Sequence, residues 1–499
     1  MGGFAVHAAT LKGMQAMPVT VEVDLSGGIP GMTIVGMADQ SLQESKQRIR
    51  CGFKESGFDM PRLNVTVNLA PGELKKSGTG LDLAIAVATL AENDQIPKQG
   101  LGGCLFVGEL GLSGSVRPVR GGIAYALLAR ELGLRLVGPP ELVRAASAAC
   151  LTPPKEISSL AALRLGVERL PDAPPEVCEG VSAVEQLDYA DVVDQDAAKR
   201  AMVIAAAGGH GLLMVGPPGS GKTMLARRMP TILPPLSEQE RLESLLVHSV
   251  CQEPMESVLA GVRPFRAPHH SVTRAGLVGG DSPIKPGEAS LAHRGVLFLD
   301  ELPEFSSSVL QTLRQPMEDK VVRLVRAEGS FTFPSAFQLV AAANPCPCGH
   351  AGDRGHPCKC TPQEIARYQG HVGGALMDRI DVFVDVQRPA ANRVIEGARG
   401  TDSKTMLTQV LQGREFASWR RRGGEAFERD VAACSLEPAA ANLLERMSER
   451  LCLGGRAITR TARVARTIAD LAVCESVGTE HVAEACAFRS RFESGEANG

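Results

Sequence analysis

Aromatic side chains are scarce in this sequence. Its 499 residues include 15 Phe, 3 Tyr and 1 Trp. Proteins that hold nucleic acid by stacking its bases need rows of aromatic platforms, so this composition argues against such a binding mode. Lysine is also sparse, since 13 Lys stand beside 40 Arg. Arginine makes bidentate contacts with phosphate and carboxylate, which suits the chain to directed anion contacts.

Long hydrophobic runs and a large net charge are absent as well. No run of 18 or more apolar residues occurs, and the start, MGGFAVHAATLKG, has no charged segment followed by an apolar core. We therefore expect no membrane span, no signal peptide and a cytoplasmic, thiol-reducing location for the 13 cysteines. The formal charge of −3 excludes a uniformly basic coat for nucleic acid, although it allows a local basic stripe.

Three regions of the chain differ in pattern. Residues 1–168 alternate apolar strands with helical stretches, which predicts an α/β or α+β domain. Residues 169–187 contain PDAPPEVCEG and predict a linker, with a surface loop inside one domain as the alternative. Residues 188–388 place apolar strands between helices, as in a parallel sheet, and residues 389–499 are mostly helical in pattern. The strands predicted in the second region are 211–216, 295–299, 338–343 and 381–386.

A glycine-rich phosphate loop follows the first of these strands. The string GPPGSGKT fits G-x-x-x-x-G-K-[ST] and stands between an apolar strand and a helical segment, which argues against a chance glycine-rich turn. Its glycines let the backbone wrap phosphates, Lys222 is placed to reach the β- and γ-phosphates, and the Thr223 hydroxyl to bind Mg²⁺. The residues predicted to bind the nucleotide and its metal are Gly216, Pro217, Pro218, Gly219, Ser220, Gly221, Lys222, Thr223 and Asp300.

Polar residues end the next two strands. Asp300 and Glu301 follow an apolar run and are predicted to hold Mg²⁺ and to polarise the attacking water, respectively. A solvated acidic strand end is the alternative. Asn344 ends the strand 338–343 and is predicted to orient water at the γ-phosphate, whereas an ordinary turn residue is the alternative.

Arginines stand out downstream. Arg379 precedes the last strand and is predicted to project into a neighbouring subunit as an arginine finger, a role worth about 10³–10⁵ in rate. The alternative is a surface salt bridge with Asp378 or Asp381. A second group lies on or beside one helical face, where it serves ATP, an anionic partner, the neighbouring subunit or only solvent; its members are Arg456, Arg460, Arg463 and Arg466.

Four cysteines are concentrated in a short segment. They form two C-x-C pairs, which predicts a Cys₄ site for structural Zn²⁺, with four free thiols as the alternative. His350 and His356 are possible replacement ligands. The predicted zinc ligands are Cys346, Cys348, Cys358 and Cys360.

The order of these features is that of AAA+ ATPases, and the chain resembles the YifB/ComM family of Mg-chelatase-like AAA+ ATPases over nearly its whole length. The matching strings include TVEVDLSGGIPGMTIVGM, FRAPHHSVTRAGLVGG, KPGEASLAHRGVLFLDELPEF and FPSAFQLVAAANPCPCG. The resemblance implies an α/β multidomain fold. It has a Lon-protease-like (S5-type) domain over 1–168, a P-loop αβα core with a helix-2-type insert over 188–388, and a helical Mg-chelatase C-terminal-like lid over 389–499.

The resemblance also implies roles for residues. Lys222 and Thr223 match Walker A, and Asp300 and Glu301 match Walker B. The remaining matches are Asn344 as sensor 1, Arg379 as the finger and Arg456 as sensor 2, although relatives usually read S-x-R-x-Y-H-R where this chain has GGRAITR. It implies a homo-hexameric ring with ATP at subunit interfaces, and the best-understood relatives are DNA helicases that drive branch migration during uptake of transforming DNA.

Two further segments gain meaning from the family. Residues 320–333 read as a hairpin that points into the ring pore, where Arg323 and Arg326 are candidate DNA phosphate contacts; an ordinary edge hairpin is the alternative. In the first domain, Ser77 stands in a loose match to the Lon nucleophile loop. Alignment on the Gly-Gly pair 121–122 puts Ala126 where Lon has its catalytic lysine, so we expect no peptidase activity and a structural or protein-binding role.

Together these features predict an ATP-hydrolysing ring motor on single-stranded or branched DNA, using ATP, Mg²⁺ and a structural Zn²⁺. The alternatives are a Mg-chelatase-type motor subunit that drives metal insertion into a tetrapyrrole, and a nucleotide-switched scaffold. The Lon-like domain and the cysteine cluster favour the DNA motor, because chelatase motor subunits lack the former.

Overall fold

A computed structural model describes residues 3–174, 187–280, 284–326, 329–353, 355–372, 374–397, 399–422 and 430–489. Most of the predicted linker, 175–186, lies outside the described residues. The chain divides into two compact units, residues 1–180 with 242–259, and residues 181–241 with 260–499. The stretch 242–259, inside the range predicted for the ATPase core, thus folds with the first unit.

The first unit is mixed α/β. Its strands are β1 (Phe4–Lys12), β2 (Gln15–Ser26), β3 (Gly31–Val35), β4 (Asn64–Ala70), β5 (Cys104–Phe106), β6 (Glu109–Leu110), β7 (Val116–Arg117), β8 (Arg135–Gly138) and β9 (Lys155–Glu156). Its first helices are α1 (Gln40–Glu55), α2 (Asp82–Glu92), α3 (Gly122–Leu132) and α4 (Pro140–Ala146). Seven strands form one sheet in the order β3-β4-β2-β1-β5-β8-β9, in which β2 runs antiparallel to β1 and β4 and the other pairs are parallel.

Alternation in β2 shows how this sheet forms its core. Val19, Val21 and Val23 are buried, while the residues between them face outward or are half-buried. Helix α2 packs against β1 and β2 and is buried along nearly its whole length, as its almost uniformly apolar sequence requires. Its first residue, Asp82, is a buried carboxylate that accepts a hydrogen bond from Arg48 Nε at 2.6 Å. Burial raises the pKa of Asp82 although Arg48 opposes the rise.

The strands after residue 187 are β10 (Leu212–Val215), β11 (Phe265–Arg266), β12 (Val296–Leu299), β13 (Val321–Arg326), β14 (Gly329–Pro334), β15 (Gln338–Ala343) and β16 (Val382–Asp385). The helices after residue 187 are α5 (Asp196–Gly208), α6 (Lys222–Arg227), α7 (Glu238–Cys251), α8 (Glu256–Leu259), α9 (Arg274–Val278), α10 (Glu288–Leu291), α11 (Ser307–Thr312), α12 (Arg314–Asp319), α13 (Pro362–Gly370), α14 (Gly374–Met377), α15 (Ala391–Ile395), α16 (Ser403–Arg421), α17 (Pro438–Arg450), α18 (Gly455–Leu471) and α19 (Thr479–Ala487).

A five-stranded parallel sheet positions the candidate site. Its order is β11-β12-β15-β10-β16, and every neighbouring pair is parallel. The four strands predicted at 211–216, 295–299, 338–343 and 381–386 are confirmed in this sheet. Because all strands run the same way, their carboxyl ends meet at one edge, which is where open α/β sheets bind ligands.

The carboxyl-terminal helices belong to the same unit. Helices α16 and α18 pack on each other and on α5, and the small residues Ala462, Ala465 and Ala469 of α18 lie in that core. The spacing of three and four residues between them gives α18 one apolar face. Among the described residues, no helix combines the length and apolarity needed to cross a bilayer.

Candidate active site

The phosphate loop connects β10 to α6. All four residues of β10 are buried, and Gly221 precedes the helix with φ +91°, a left-handed conformation that glycine adopts without strain. Lys222 is buried, and its Nζ donates to the carbonyls of Gly216 at 2.6 Å and Pro217 at 3.0 Å. Burial lowers the pKa of Lys222, and the nearby carboxylates of Asp300 and Glu301 oppose that shift. The ammonium is thus held inside the loop that would wrap a phosphate chain.

Hydroxyl and carboxylate oxygens lie side by side at the end of β12. Thr223 Oγ1 donates to Asp300 Oδ2 at 2.7 Å, and Asp300 Oδ1 accepts the backbone N–H of Glu301 at 3.0 Å. Oxygen donors of these two kinds are the ligands that Mg²⁺ prefers. The Glu301 side chain is 54% exposed, so its carboxylate is open to the cavity and to water.

Asn344 completes the group at the end of β15. Its Oδ1 accepts a hydrogen bond from Lys222 Nζ at 3.2 Å. Residues of the phosphate loop, Asp300, Glu301 and Asn344 line one cavity of about 440 Å³. The structure therefore brings the five predicted side chains together, although up to 122 positions separate them in the sequence. They are Lys222, Thr223, Asp300, Glu301 and Asn344.

Two residues that the sequence reasoning missed support this cavity. His270 follows β11, and its Nδ1 lies 3.7 Å from Glu301 Oε2. Buried Gln195 donates from Nε2 to the carbonyls of Ser220 at 3.3 Å and Gln387 at 2.6 Å, which ties the phosphate loop to the chain after β16. His270 had a usable signal, since it is a polar residue just after a strand of the same sheet; Gln195 had none, because it precedes a helix.

Arg379 lies between α14 and β16. Its Nη2 pairs with Glu318 on α12, and its side chain is 10% exposed. This partner is neither Asp378 nor Asp381, the two carboxylates named in the alternative prediction for Arg379. The finger role stays a prediction, since a neighbouring subunit would have to receive the side chain.

Asp381 forms an ion pair with Arg460, one of the four arginines predicted on the third region's helix. It accepts Arg460 Nη1 at 2.8 Å and the backbone N–H of Gly211 at 3.2 Å, and lies 3.4 Å from His210 Nδ1. Burial alone would raise the pKa of Asp381, but the hydrogen bond and charge of His210, with Arg460 and Arg463, lower it to about 2.

The other arginines of α18 have different surroundings. Arg466 is 1% exposed, donates from Nη1 to the carbonyl of Glu475 at 2.8 Å and pairs with Asp470 at 3.0 Å, so it is a structural residue inside the helical bundle. Arg456 is exposed in the first turn of the helix. Its sensor role stays a prediction.

The predicted hairpin is formed by β13 and β14, which pair antiparallel from Val321 with Pro334 to Arg326 with Gly329. Val322 and Phe333 are cross-strand neighbours on the buried face. Arg323 is exposed on the opposite face. Arg326, at the tip, is also exposed and donates from Nη2 to the carbonyl of Gly280 at 3.0 Å.

The four predicted zinc ligands lie in one cluster after β15. Their Sγ atoms are all within 4.8 Å of one another. Cys346 Sγ lies 3.4 Å from Cys348 Sγ and 3.6 Å from Cys358 Sγ. The backbone N–H groups of Lys359 and His350 lower the pKa of Cys348 to about 6. A tetrahedral zinc with Zn–S of about 2.3 Å spaces its sulfurs by about 3.8 Å, so the cluster fits this metal.

The residues compared with the Lon loop lie in the first unit. Ser77 is exposed, whereas Lys76 is buried and donates from Nζ to the carbonyl of Pro71. Burial lowers the pKa of Lys76. Ala126 is fully buried on α3, and a methyl group cannot accept a proton. The absence of peptidase activity stays a prediction on this basis.

Family models match three parts of the chain. A model described as magnesium chelatase, subunit ChlI, matches residues 188–394. A second, described as subunit ChlI of Mg-chelatase, matches residues 21–141, and a third, for the ChlI C-terminal part, matches residues 400–489.

Several curated proteins are similar along their whole length. The chain is 39% identical over 498 residues to competence protein ComM of Haemophilus influenzae, covering 97% of each chain. It is 37% identical over 496 residues to uncharacterized protein YifB of Salmonella typhimurium, covering 97% of this chain and 96% of the relative. Similarity to the magnesium-chelatase 67 kDa subunit of Heliobacterium mobile is lower, 28% over 270 residues, with 46% of this chain and 39% of that subunit covered.

Proposed function

Because this chain belongs to the YifB/ComM family of Mg-chelatase-like AAA+ proteins, we propose that it is an ATP-hydrolysing ring motor that acts on DNA in recombination or natural transformation, by branch migration. One observation carries the ATPase part. Lys222, Thr223, Asp300, Glu301 and Asn344 line one cavity at the carboxyl edge of a parallel sheet.

Each of these side chains has a task in phosphoryl transfer to water. Lys222 binds phosphate oxygens in place of the carbonyls it now contacts. Thr223 and Asp300 would hold Mg²⁺, which would neutralise charge on the phosphates of bound ATP. Glu301 accepts a proton from the attacking water, and Asn344 orients that water. The exposure of Glu301 supports its role, because an incoming water can reach it.

A neighbouring subunit supplies the remaining charge in this proposal. Arg379 leaves Glu318 and enters the neighbour's site as the finger, which requires a closed ring, proposed as a homo-hexamer. Arg456, exposed at the start of α18, contacts the nucleotide from the helical side.

The DNA part of the proposal rests on the hairpin and on one relative's name. Arg323 and Arg326 are exposed on a two-stranded hairpin, and phosphate contacts of this kind give sequence-independent affinity. The Haemophilus influenzae relative is called a competence protein, which supports a role with transforming DNA.

Zinc is proposed for the four-cysteine cluster. Four thiol groups, each within 4.8 Å of the others, match a closed structural site that needs no water ligand. When bound, the ion would cross-link the two ends of a loop that has few apolar residues of its own.

Purified full-length chain would test the proposal. We expect its ATPase rate to rise with forked or Holliday-junction DNA, and labelled strands to be displaced only with hydrolysable ATP. The matched Lys222→Ala variant should show neither activity. An ATPase rate that is the same with and without DNA, together with no strand displacement, would reject the proposal of a DNA motor. Stimulation by a chelatase partner and a porphyrin instead would favour the metal-insertion motor.

A further inference from the structure

Arg388 lies where the phosphate loop meets the cysteine-containing loop. It follows β16, three residues beyond the end of that strand. Its Nε donates to the carbonyl of Pro218 at 3.3 Å, its Nη1 lies 3.0 Å from His356 Nδ1, and its Nη2 lies 3.4 Å from Asp353 Oδ2. A guanidinium offers five donors in a rigid fork, so one side chain serves all three partners, as a lysine ammonium on a flexible stem would not.

Asp353 is the carboxylate of the cysteine-containing loop that pairs with Arg388. Its side chain is 7% exposed, and its Oδ1 accepts the backbone N–H of Gly355 at 3.0 Å. Its Oδ2 lies 3.2 Å from His350 Nδ1. The Gly355 N–H, together with His350 and the charges of Arg388 and His356, holds the pKa of Asp353 below its ordinary value. The carboxylate therefore gives Arg388 a charge-assisted contact.

The cysteine-containing loop makes a second contact with the phosphate loop, between Gly349 and Pro218. Gly349 has φ +81°, and a Cβ placed on it would lie 2.7 Å from Pro218 Cδ and 2.8 Å from Pro218 Cγ. Real side chains do not tolerate that approach, so the loop lies directly against the proline ring of the phosphate loop. The cysteine loop thus contacts Pro218 both at its ring and, through Arg388, at its carbonyl.

All of these loop residues lie between the two cysteine pairs. Gly349, Asp353 and His356 stand after Cys348 and before Cys358, so whatever joins the pairs fixes their position. His350, Asp353 and His356 themselves place three ligand atoms within 4.8 Å. We assign that group to Arg388 rather than to a second metal, because the guanidinium cation contacts two of its three members.

We propose that metal bound by the four cysteines sets the affinity of the phosphate loop for nucleotide, through Gly349, Asp353 and Arg388 acting on Pro218. The inference rests on the proposed function, since ATP is the nucleotide and zinc the metal. Without the metal the two pairs separate, Arg388 loses its partners on the loop, and Pro218 is no longer held. Arg388 is a positioning residue, because it acts on the nucleotide through the phosphate loop.

The test uses the full chain and a fluorescent ATP analogue with Mg²⁺. Zinc is measured by elemental analysis and removed with a mercurial thiol reagent, a chelator and then a reductant. Removal should weaken nucleotide binding about tenfold, as loss of supporting contacts around a site commonly does. Arg388→Gln should weaken binding to a similar degree while retaining one zinc per chain, and it should raise KM for ATP with kcat little changed.

The decisive result is the combination of the two changes. Because both act through one contact, removing zinc from Arg388→Gln should cause less than about a twofold further loss. Arg393→Gln is the matched control, since Arg393 is ion-paired with Asp194 at 3.1 Å, and its affinity and zinc response should equal those of the wild type. Circular dichroism should show the zinc-free chain still folded.

Failures of the two proposals can be told apart. If wild-type chain binds ATP but contains no zinc, the proposal of a zinc site is wrong and this inference is wrong as well, while the proposed ATPase activity is unaffected. Zinc-bound chain whose ATP affinity is unchanged by metal removal would overturn the inference alone. Independent, multiplying losses from zinc removal and Arg388→Gln would overturn it as well, because the two would then act by separate routes. Chain that binds no ATP would reject the ATPase itself.

Discussion

Lys222 Nζ donates a hydrogen bond to Asn344 Oδ1 at 3.2 Å, which joins the phosphate loop to the end of the neighbouring strand β15. The same ammonium donates to the carbonyls of Gly216 and Pro217. An ammonium has three donors, so these three oxygens occupy all of them. A phosphate oxygen must therefore displace one, and displacement of Asn344 would release its amide to hold water beside the γ-phosphate.

Glu301→Gln should separate binding from hydrolysis. We expect kcat to fall by about 10²–10⁴-fold, because the amide cannot accept the proton of the attacking water. ATP affinity should stay within about twofold, since Lys222, Thr223 and Asp300 are unchanged. The exposed neighbour Glu304 gives a control, Glu304→Gln, that should hydrolyse ATP normally. A Glu301→Gln protein with near-normal turnover would contradict the assignment.

Mixing variants should reveal whether Arg379 acts in a neighbouring subunit. Arg379→Ala and Lys222→Ala should each lose ATPase activity, by about 10³-fold or more for the finger. Their mixture should recover part of it, because some interfaces then combine an intact phosphate loop with an intact finger. Mixing Lys222→Ala with Asp300→Asn is the control, since both defects lie on one side of the interface. Equal rates from both mixtures would argue that Arg379 does not act across subunits.

Arg323→Ala should weaken single-stranded DNA binding without regard to sequence. Loss of one phosphate contact should also reduce the slope of log K against log salt by about 0.7. Fluorescence anisotropy over a salt series measures both. Arg144→Ala removes an exposed arginine that pairs with Glu156 at 2.5 Å in the first unit, and it should leave the slope unchanged. An unchanged slope in Arg323→Ala would remove the hairpin from the DNA interface.

Asp381→Asn should change the acid stability of the second unit. The pKa of Asp381 in the folded chain is about 2, below its ordinary value of 3.8, so the ionised carboxylate stabilises the fold. That contribution, about 2 kcal/mol, is complete above about pH 4 and is lost as the pH falls toward 2. The variant should unfold more easily at pH 7, and the difference from wild type should shrink below pH 4. Asp378→Asn, at an exposed position, is the control for denaturant titrations across this range.

Casein should not be cleaved by the purified chain. Ala126 supplies no base, and the ammonium of Lys76 is bound to the Pro71 carbonyl. Peptide release measured by mass spectrometry should equal that of a Ser77→Ala protein. Release that disappears on Ser77→Ala would show that the first unit is a peptidase after all.

The strands of the parallel sheet and the residues at their ends could be predicted because the signals are local. An apolar run followed by GPPGSGKT, or by Asp300 and Glu301, carries its own context along the chain. Gln195 and Arg388 could not be predicted in this way, since their partners lie far away in sequence and no motif marks them.

Helix α7 shows the same limit at the level of the fold. Its sequence is that of an ordinary amphipathic helix, which indicates that one face is buried but not which core covers it. Its residues 242–251 belong to the first unit, where the backbone N–H of Gly121 donates to the carbonyl of Ser249 at 2.9 Å. Such a pairing, between residues more than a hundred positions apart, leaves no trace in local periodicity.

The position of Asp381 has a mechanical consequence. It precedes β16 and binds the backbone just before β10, so Arg460 fastens helix α18 at the amino ends of these two strands. The phosphate loop and Arg388 lie beyond the opposite ends. A movement of α18 that keeps the Arg460–Asp381 ion pair would therefore displace the atoms near Arg460 least. Atoms farther along the helix from this pair would be displaced most.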